Sequence, residues 1–600
     1  MLKRAEKYGF FILAAGIFMY LLLRAIQVPL VNDESETFLF FVQPGDFIPW
    51  LAKHSVANNH FLNSAFSWVF YKLFGLDEWV LRLASLLSFI IFAVYLFRLG
   101  NAFIQNHLLR WLLWLSLLGS HYFIEFFAYC RGYAMSGAFL LAGIFHLIRW
   151  TNNSHRLAHR NLKWSFFFMA GALFANLNLL YSYLLWMLLI FFILWQKNGS
   201  LKPPRPVWFS LLPLLYSVSI AFRLKASEQL YIGTNDGLEA SIKSLLGLMF
   251  HHQENTVIYA VYAVVAIIVL LFLAYILRKN PRLAFSGFFI FFMLLFFNVL
   301  AAFSAYILLD MKLPVSRTIL HWYLLLILAF IFALDNVSYK KRAFLAILAL
   351  PLLILPWNFY EVANLNTSTD PSWKREHMPD SFYDFVVQDS PNTGVPPTLA
   401  AGLNFYKHNW AMLHLQKQQK VNVCQSYVEK EFIADYQIVN LQESPVFKDL
   451  YEQKLFDPHS GISLVKRKLF LTRQPLIREK AKTFSNKDPG FHPLITLEEV
   501  DTLQGKAIQL DLTLSISLED NLFMGIIPVY FKDVEGNVVG YQQVNLDHHH
   551  LNWKKGEPVS LSIYFNSVPL EAVQMESYIW NFNNQKYSLH SAQTVIHKLN

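Results

Sequence analysis

The chain has 600 residues, of which 55% are apolar, 16% aromatic and only 15% charged. Its mean hydropathy is +0.34, a balance that excludes an ordinary soluble protein. The formal net charge of +9 lies largely in short loops between apolar blocks, so it does not point to nucleic acid.

A spanning helix needs roughly 20 predominantly apolar residues. In chain order the expected spans lie near 9–29, 80–97, 111–128, 132–150, 164–180, 182–196, 206–222, 257–277, 284–309, 318–334 and 343–356. The block "SFFFMAGALFANLNLLYSYLLWMLLIFFILW" suits either one long helix or two short ones turning near Asn176–Tyr181. Charge decides for two, because cytoplasmic loops are rich in Lys and Arg. With the N-terminus "MLKRAEK" inside and about eleven spans, the inner loops hold many Lys and Arg but one acid, Asp335. The outer loops hold Asp33, Glu34, Glu36, Asp46, Glu125, Glu228, Asp236, Glu239, Glu254 and Asp310. The expected orientation is a cytoplasmic N-terminus and a C-terminal region outside. The first segment has no small-residue cleavage site after it, so it is taken as a helix rather than a signal peptide. Cys130 and Cys424 fall in different regions and imply no disulfide framework.

Beyond about residue 360 the composition changes. Residues 361–470 mix short helical and strand patterns, as in "DSFYDFVVQ" and "FIADYQIVNL". From 471 to 600 the pattern is that of strands. "AIQLDLTLSISL" places apolar residues at every second position from Ile508 to Leu518, the period of a half-buried strand. Several such runs separated by turn residues predict a β-sandwich. The expected fold is therefore a polytopic α-helical membrane protein, residues 1–360, followed by an extracytoplasmic mixed α/β region and a β-sandwich-like region. A folding or docking module is the bland assignment for the last part. Carbohydrate binding is the sharper one, with Trp553, Tyr578 and Trp580 as stacking residues.

Charged residues at bilayer-centre depth cost roughly 2.5–3.5 kcal/mol on insertion scales. Asp33, Glu34, His60, Glu125, Arg131, the 223–255 loop with Lys225, and Arg317 all fall at predicted outer helix ends. Each also has a structural explanation. Asp33 and Glu34 suit a helix cap, His60 a solvated loop, Glu125 and Arg131 a boundary ion pair, and Arg317 a residue snorkelling to head groups. The triple histidine of "LDHHHLNW" is a poor metal site, since consecutive strand residues alternate faces. No Walker loop, dinucleotide fingerprint, nucleophile elbow or HExxH helix is present, which argues against an ATP-driven pump and those hydrolase classes.

Order and context add to these single residues. An Asp-Glu pair after the first helix, followed by "NNHFLNSAFSWVFYKLFGLDEWVLRLASLL", resembles the membrane-embedded GT-C glycosyltransferases. The similarity is to the dolichyl-phosphate-mannose protein mannosyltransferase-like group, which includes the bacterial aminoarabinose transferases. Where that group often has His-Pro-Pro-Leu, this chain has Phe61-Leu62 after His60. "FIEFFAYCRGYAMSGAFLL", "LYIGTNDGLEASIKSLL" and "LPVSRTILHWYLLL" resemble further segments of the group, and the resemblance covers roughly residues 1–360. It implies an inverting transfer of a sugar from a polyprenyl-phosphate donor to a lipid, glycan or protein acceptor, at the periplasmic face of a bacterial inner membrane. It makes Asp33 the candidate base, with Glu34 orienting the acceptor or supporting Asp33. Arg317, then Arg131 and Lys225, would stabilise the phosphate, while His60 and Glu125 would contact or position substrate. No dedicated metal box is present, although a divalent cation could share the work. The alternatives are a lipid or polysaccharide transporter, a non-catalytic envelope glycan assembly protein, or, nearer, an oligosaccharide polymerase or ligase.

Overall fold

The computed structural model describes the chain except residues 1, 55, 153–155, 199–204, 231–232, 251–286, 342, 390–396, 401–403, 418–419, 425–433, 443–446, 519–522 and 547–556. It divides into two compact units. The first comprises Met1–Gln27 and Ser55–Leu365, and the second Val28–His54 and Asn366–Asn600. The loop after the first helix thus clusters with the C-terminal half of the chain.

The first unit is helical, and the chain is a multi-pass membrane protein. Among the described residues, seven helices are long and apolar enough to cross a membrane, or eight if the pair His107–Leu118 and His121–Ala128, bent by 54°, is one span. About eleven were expected, and the differences have local causes. The expected span 257–277 lies outside the described residues. Of the expected span 164–180, residues 164–175 form the second half of Arg156–Ala175, a helix whose first half carries Arg156, Arg160 and Lys163. The expected span 343–356 is a 3₁₀ run, Ala343–Leu353, containing Pro351 and continuing as the short helix Ile354–Val362. Proline lacks the N–H that an α-helix interior needs. The doubtful aromatic block is two helices, Arg156–Ala175 and Leu180–Asn198. Asn176 separates them, its side chain accepting from the Asn178 N–H at 3.1 Å.

One end of this unit is fastened by charge. Asp335 accepts from the Gln105 and Asn106 backbone N–H groups at 2.9–3.1 Å. The Asn106 side chain in turn caps His107–Leu118 by accepting from Leu108 and Leu109. Glu6 bonds Arg110 at 2.8 Å and His107 at 2.5 Å, tying the first helix to the same turn.

The second unit holds a mixed sheet and a β-sandwich. The mixed sheet comprises β1 (Thr398–Ala400), β2 (Asn422–Cys424), β3 (Tyr436–Val439), β4 (Tyr451–Asp457) and β5 (Ile462–Arg467), in the order β2-β1-β3-β5-β4. The helices Asp380–Asp389 and Phe405–His414 contribute Phe382, Tyr383, Val386, Ala411 and Met412 to its core. The sandwich has a four-stranded sheet, β11-β10-β13-β8, and a five-stranded one in which β12-β9-β14-β6 are joined by β7 on β14. Its strands are β6 (Arg473–Lys480), β7 (Phe484–Lys487), β8 (Phe491–Leu497), β9 (Ile508–Leu518), β10 (Ile526–Lys532), β11 (Val538–Asn545), β12 (Val559–Phe565), β13 (Gln574–Trp580) and β14 (Tyr587–Leu599). The alternation in β9 buries Ile508, Leu510, Leu512, Leu514 and Ile516 in one core with Ile527, Val529, Phe531, Met575 and Ile579 of the other sheet.

On β9, Asp511 bonds His597 of β14 at 3.0 Å and accepts from Gln509 at 2.7 Å and from the Ser562 hydroxyl. Burial opposes its ionisation, but the bonds from His597, Ser562 and Gln509 outweigh that and hold the carboxyl below its ordinary value. A depressed carboxyl contributes stability above its unfolded pKa of about 3.9 and loses it as pH falls through the folded value. Asp511→Asn is therefore expected to cost roughly 1–3 kcal/mol at neutral pH, with the deficit shrinking below about pH 4. Thermal unfolding of the full chain across that range checks it.

Candidate functional site

The acidic loop and the basic cluster belong to different units and are built by different means. In the second unit, Asn32–Thr37 forms a short helix that continues as a π-turn, Phe38–Val42, all of it buried. Glu34 is fully buried, and its Oε2 accepts from the Val31 N–H at 3.1 Å while Val31 O accepts from Glu34 and Ser35. The second acid of the pair thus caps its own helix. Asp33 is half-buried, with one carboxylate oxygen shielded from solvent. Glu36 lies 3.6 Å from His54.

Residues far along the chain hold this loop. Glu376 accepts from the Asn32 N–H at 2.7 Å, His377 Nδ1 donates to the Pro29 carbonyl at 2.9 Å, and Asn32 Oδ1 accepts from the Lys407 N–H at 3.2 Å. Trp410 packs edge-on against Phe38, and Tyr406 against Phe40. No spacing rule links positions more than 340 apart, so these anchors were invisible to sequence reasoning.

In the first unit, His60 precedes the helix Phe61–Phe74 and is 5% exposed. Its Nδ1 lies 3.0 Å from the Ala175 carbonyl, which can only accept, so Nδ1 carries the proton. Burial, then the Arg131 charge and that of Arg317, hold the imidazole well below its ordinary value. A neutral ring with Nδ1–H committed leaves Nε2 as an acceptor. This atom is buried with no hydrogen-bond partner among the described residues.

Arg131 is fully buried, bonding the Asn58 side chain and, at 3.4 Å, the Asn58 carbonyl. Its guanidinium sits 5.9 Å from the Tyr133 ring centre, and the same ring meets His60 edge-on at 4.6 Å. The turn that presents Arg131 is fixed by Ser85, whose hydroxyl serves the Arg131 carbonyl at 2.8 Å and Asn63 at 2.9 Å. Arg317 lies in the 3₁₀ turn Ser316–Ile319, where the Ser316 N–H donates to Ser244 at 2.7 Å. The structure thus brings Arg131 and Arg317 each within electrostatic reach of His60.

Two other candidates have different partners. Glu125 is buried in an ion pair with Arg24, joined by the Tyr129 hydroxyl. Glu125 therefore has an ionic partner 101 positions earlier in the chain, beyond the reach of the spacing that suggested Arg131. Arg24 was missed, although an arginine inside "YLLLRAIQ" is itself a signal. Lys225 is exposed and donates to the Leu309 carbonyl, linking the ends of two helices. Among the described residues, no group of three or more His, Cys, Asp or Glu is arranged to hold a metal ion. The triple histidine 548–550 lies outside the described residues.

Gly132 makes the cationic corner possible. A Cβ there would meet the Ala175 carbonyl oxygen at 1.9 Å and the His60 Cβ at 3.0 Å. Three groups cannot share that space, so only glycine lets the helix from Gly132 begin against the carbonyl that orients His60.

Comparison with solved structures finds ArnT from Cupriavidus metallidurans in the apo state. That match has 11% identity and a TM-score of 0.46, covering 77% of this chain and 98% of that one. The same protein bound to undecaprenyl phosphate gives 12% identity, a TM-score of 0.47, and coverage of 76% and 97%. The arabinosyltransferase EmbB from Mycobacterium smegmatis gives 11% identity, a TM-score of 0.31, and coverage of 98% and 64%. No family model matches the chain, and no curated protein matches it.

Gly132→Ala is expected to lower the thermal midpoint in detergent, at an overpacking cost of roughly 1–3 kcal/mol. Gly16→Ala, where nothing lies within 4 Å of the added carbon, should leave the midpoint unchanged. Equal effects of the two would contradict the tight corner.

Proposed function

We propose that the protein is an integral membrane glycosyltransferase that moves a sugar from a polyprenyl phosphate to an acceptor at the periplasmic face of the membrane. The observation that carries this is the placing of two cations, the buried Arg131 and the half-buried Arg317, around the buried His60 in an apolar, membrane-spanning unit. Guanidinium groups bond phosphate oxygens and stabilise charge that develops on them, and a lipid phosphate is an anion that the membrane supplies. The order along the chain of the Asp33-Glu34 pair and of residues 58–87, 123–141, 230–246 and 313–326 supports the same assignment.

In this scheme the acceptor oxygen attacks the anomeric carbon as the bond from that carbon to the phosphate oxygen breaks, inverting the centre. The acceptor hydroxyl is a weak nucleophile near neutral pH, so its proton must pass to a base as the new bond forms. Asp33 takes it. Glu34 holds the turn that presents Asp33, since its own carboxylate is bonded to the Val31 N–H. Negative charge grows on the departing polyprenyl phosphate, and Arg131 and Arg317 stabilise it. His60 has a different task. Its Nε2 has no proton to give a phosphate, but it can accept a hydrogen bond from a hydroxyl of the donor sugar. Glu125 acts at a distance by keeping Arg24 and the Tyr129 hydroxyl in place beside the Arg131 turn.

Purified protein in liposomes, given polyprenyl-phosphate sugars and a membrane and periplasmic extract as acceptor pool, tests the scheme through transfer of labelled sugar. Asp33→Asn is expected to lower turnover on the order of 10²–10⁴-fold with donor binding intact. Glu34→Gln keeps an oxygen for the Val31 N–H and should lose far less. Normal transfer by Asp33→Asn would remove the base from the mechanism. Donor binding and translocation without transfer would favour a transporter.

A further inference from the structure

The outer face of the four-stranded sandwich sheet carries a feature unrelated to the core. Along β10 and β13 the residues Ile527, Val529, Phe531, Met575 and Ile579 point inward, so their alternating neighbours point outward. On that outer side six rings form a continuous path across all four strands. Tyr541 on β11 meets Tyr530 on β10 with ring centres 4.9 Å apart, and Tyr530 stacks on Tyr578 of β13 at 6.0 Å. Tyr578 meets Phe491 of β8 edge-on at 5.4 Å, and Phe491 stacks on Trp580 at 5.8 Å. Phe582 closes the path 6.1 Å from Trp580. Phe491 is 61% exposed, and Tyr541 and Phe582 are each 44% exposed.

Exposed aromatic patches of this extent mark binding surfaces rather than stability, and the polar groups between the rings narrow the ligand. Tyr541 donates to Gln543, whose amide donates to Asn545 at 3.5 Å, giving a line of side-chain donors and acceptors beside the rings. The phenols of Tyr530 and Tyr578 stand on the same outer face as their stacked rings. On β10 and β13 the charged side chains, Lys532 and Glu576, neutralise one another at 2.6 Å. A face for a phospholipid surface or an acidic polymer would carry unpaired cations, and along these two strands the charge is balanced. A protein-docking patch would place an apolar centre inside a polar rim, whereas here phenols and amides run among the rings. Flat apolar faces edged by hydroxyl and amide groups match a ligand with flat C–H faces and equatorial hydroxyls.

We infer that the outer face of the sheet β11-β10-β13-β8 is a binding platform for a neutral oligosaccharide, with the six rings stacking on its sugars and Gln543 and Asn545 meeting their hydroxyls. The platform stands independently of the transferase scheme, because binding is read without turnover. The test uses the full chain in nanodiscs, with biolayer interferometry against soluble dextran, mannan, arabinan, amylose and chitohexaose. Wild type is expected to bind at least one of these glycans. Phe491→Ala and Tyr541→Ala, both exposed positions, should each weaken that binding several-fold at unchanged thermal midpoint. Tyr578→Phe, which keeps the ring, should weaken it less than Tyr578→Ala. Absence of binding to the whole panel would overturn the inference. So would binding that survives the Phe491 and Tyr541 variants, or binding to vesicles of anionic phospholipid in place of glycan.

Discussion

A charge placed among apolar side chains must be answered by another charge or by hydrogen bonds, and this constraint orders the membrane unit. Removing one partner of a buried ion pair typically costs 3–5 kcal/mol, because the other charge is left behind. Arg24 and Glu125 satisfy the rule within the chain, with the Tyr129 hydroxyl and the Asn364 carbonyl also bonding the guanidinium. Asp335 and Glu6 satisfy it elsewhere, by accepting from backbone N–H groups and from Arg110. At His60 burial, and then the charges of Arg131 and Arg317, favour the neutral imidazole.

The scaffolding around that group is a chain of small requirements. Ser85 and Asn63 fix the turn before Gly132, Gly132 gives up its side chain to the Ala175 carbonyl, and the carbonyl sets the tautomer of His60. Each link is a hydrogen bond worth about 1 kcal/mol net or a contact too close for a methyl group. Their common effect is to fix which nitrogen of His60 faces the remaining space. Precision there, more than added stability, is what placement of a hydroxyl-bearing ligand would need.

Much of the architecture could be read from the residues alone. Apolar runs announced most of the spans, the Asn176 break followed from loop charge, and the period-2 pattern of Ile508–Leu518 matched a strand buried on one side. What stayed hidden was pairing across long separations. Glu125 and Arg131 are close in sequence and invite a pair, but tertiary packing brings Arg24 to Glu125. The loop bearing Asp33 looks like a connection between two helices, yet Glu376, His377 and Lys407 hold it in the C-terminal unit. That Glu34 bonds the Val31 N–H was equally hidden, because a carboxylate that caps a helix and one that meets substrate look the same in a string of letters. The aromatic path was only partly visible, since Tyr578 and Trp580 share a strand while Phe491 and Tyr541 reach them through sheet order.

The central claim is that Arg131 and Arg317, beside His60, form the seat of a lipid phosphate. Thermal unfolding of the purified protein with undecaprenyl phosphate, and with undecaprenol as the uncharged control, tests it most directly. The account predicts a midpoint raised by the phosphate and not by the alcohol, with the rise abolished in Arg317→Met and Arg131→Met. Equal stabilisation by phosphate and alcohol, or a rise that both variants retain, would contradict it.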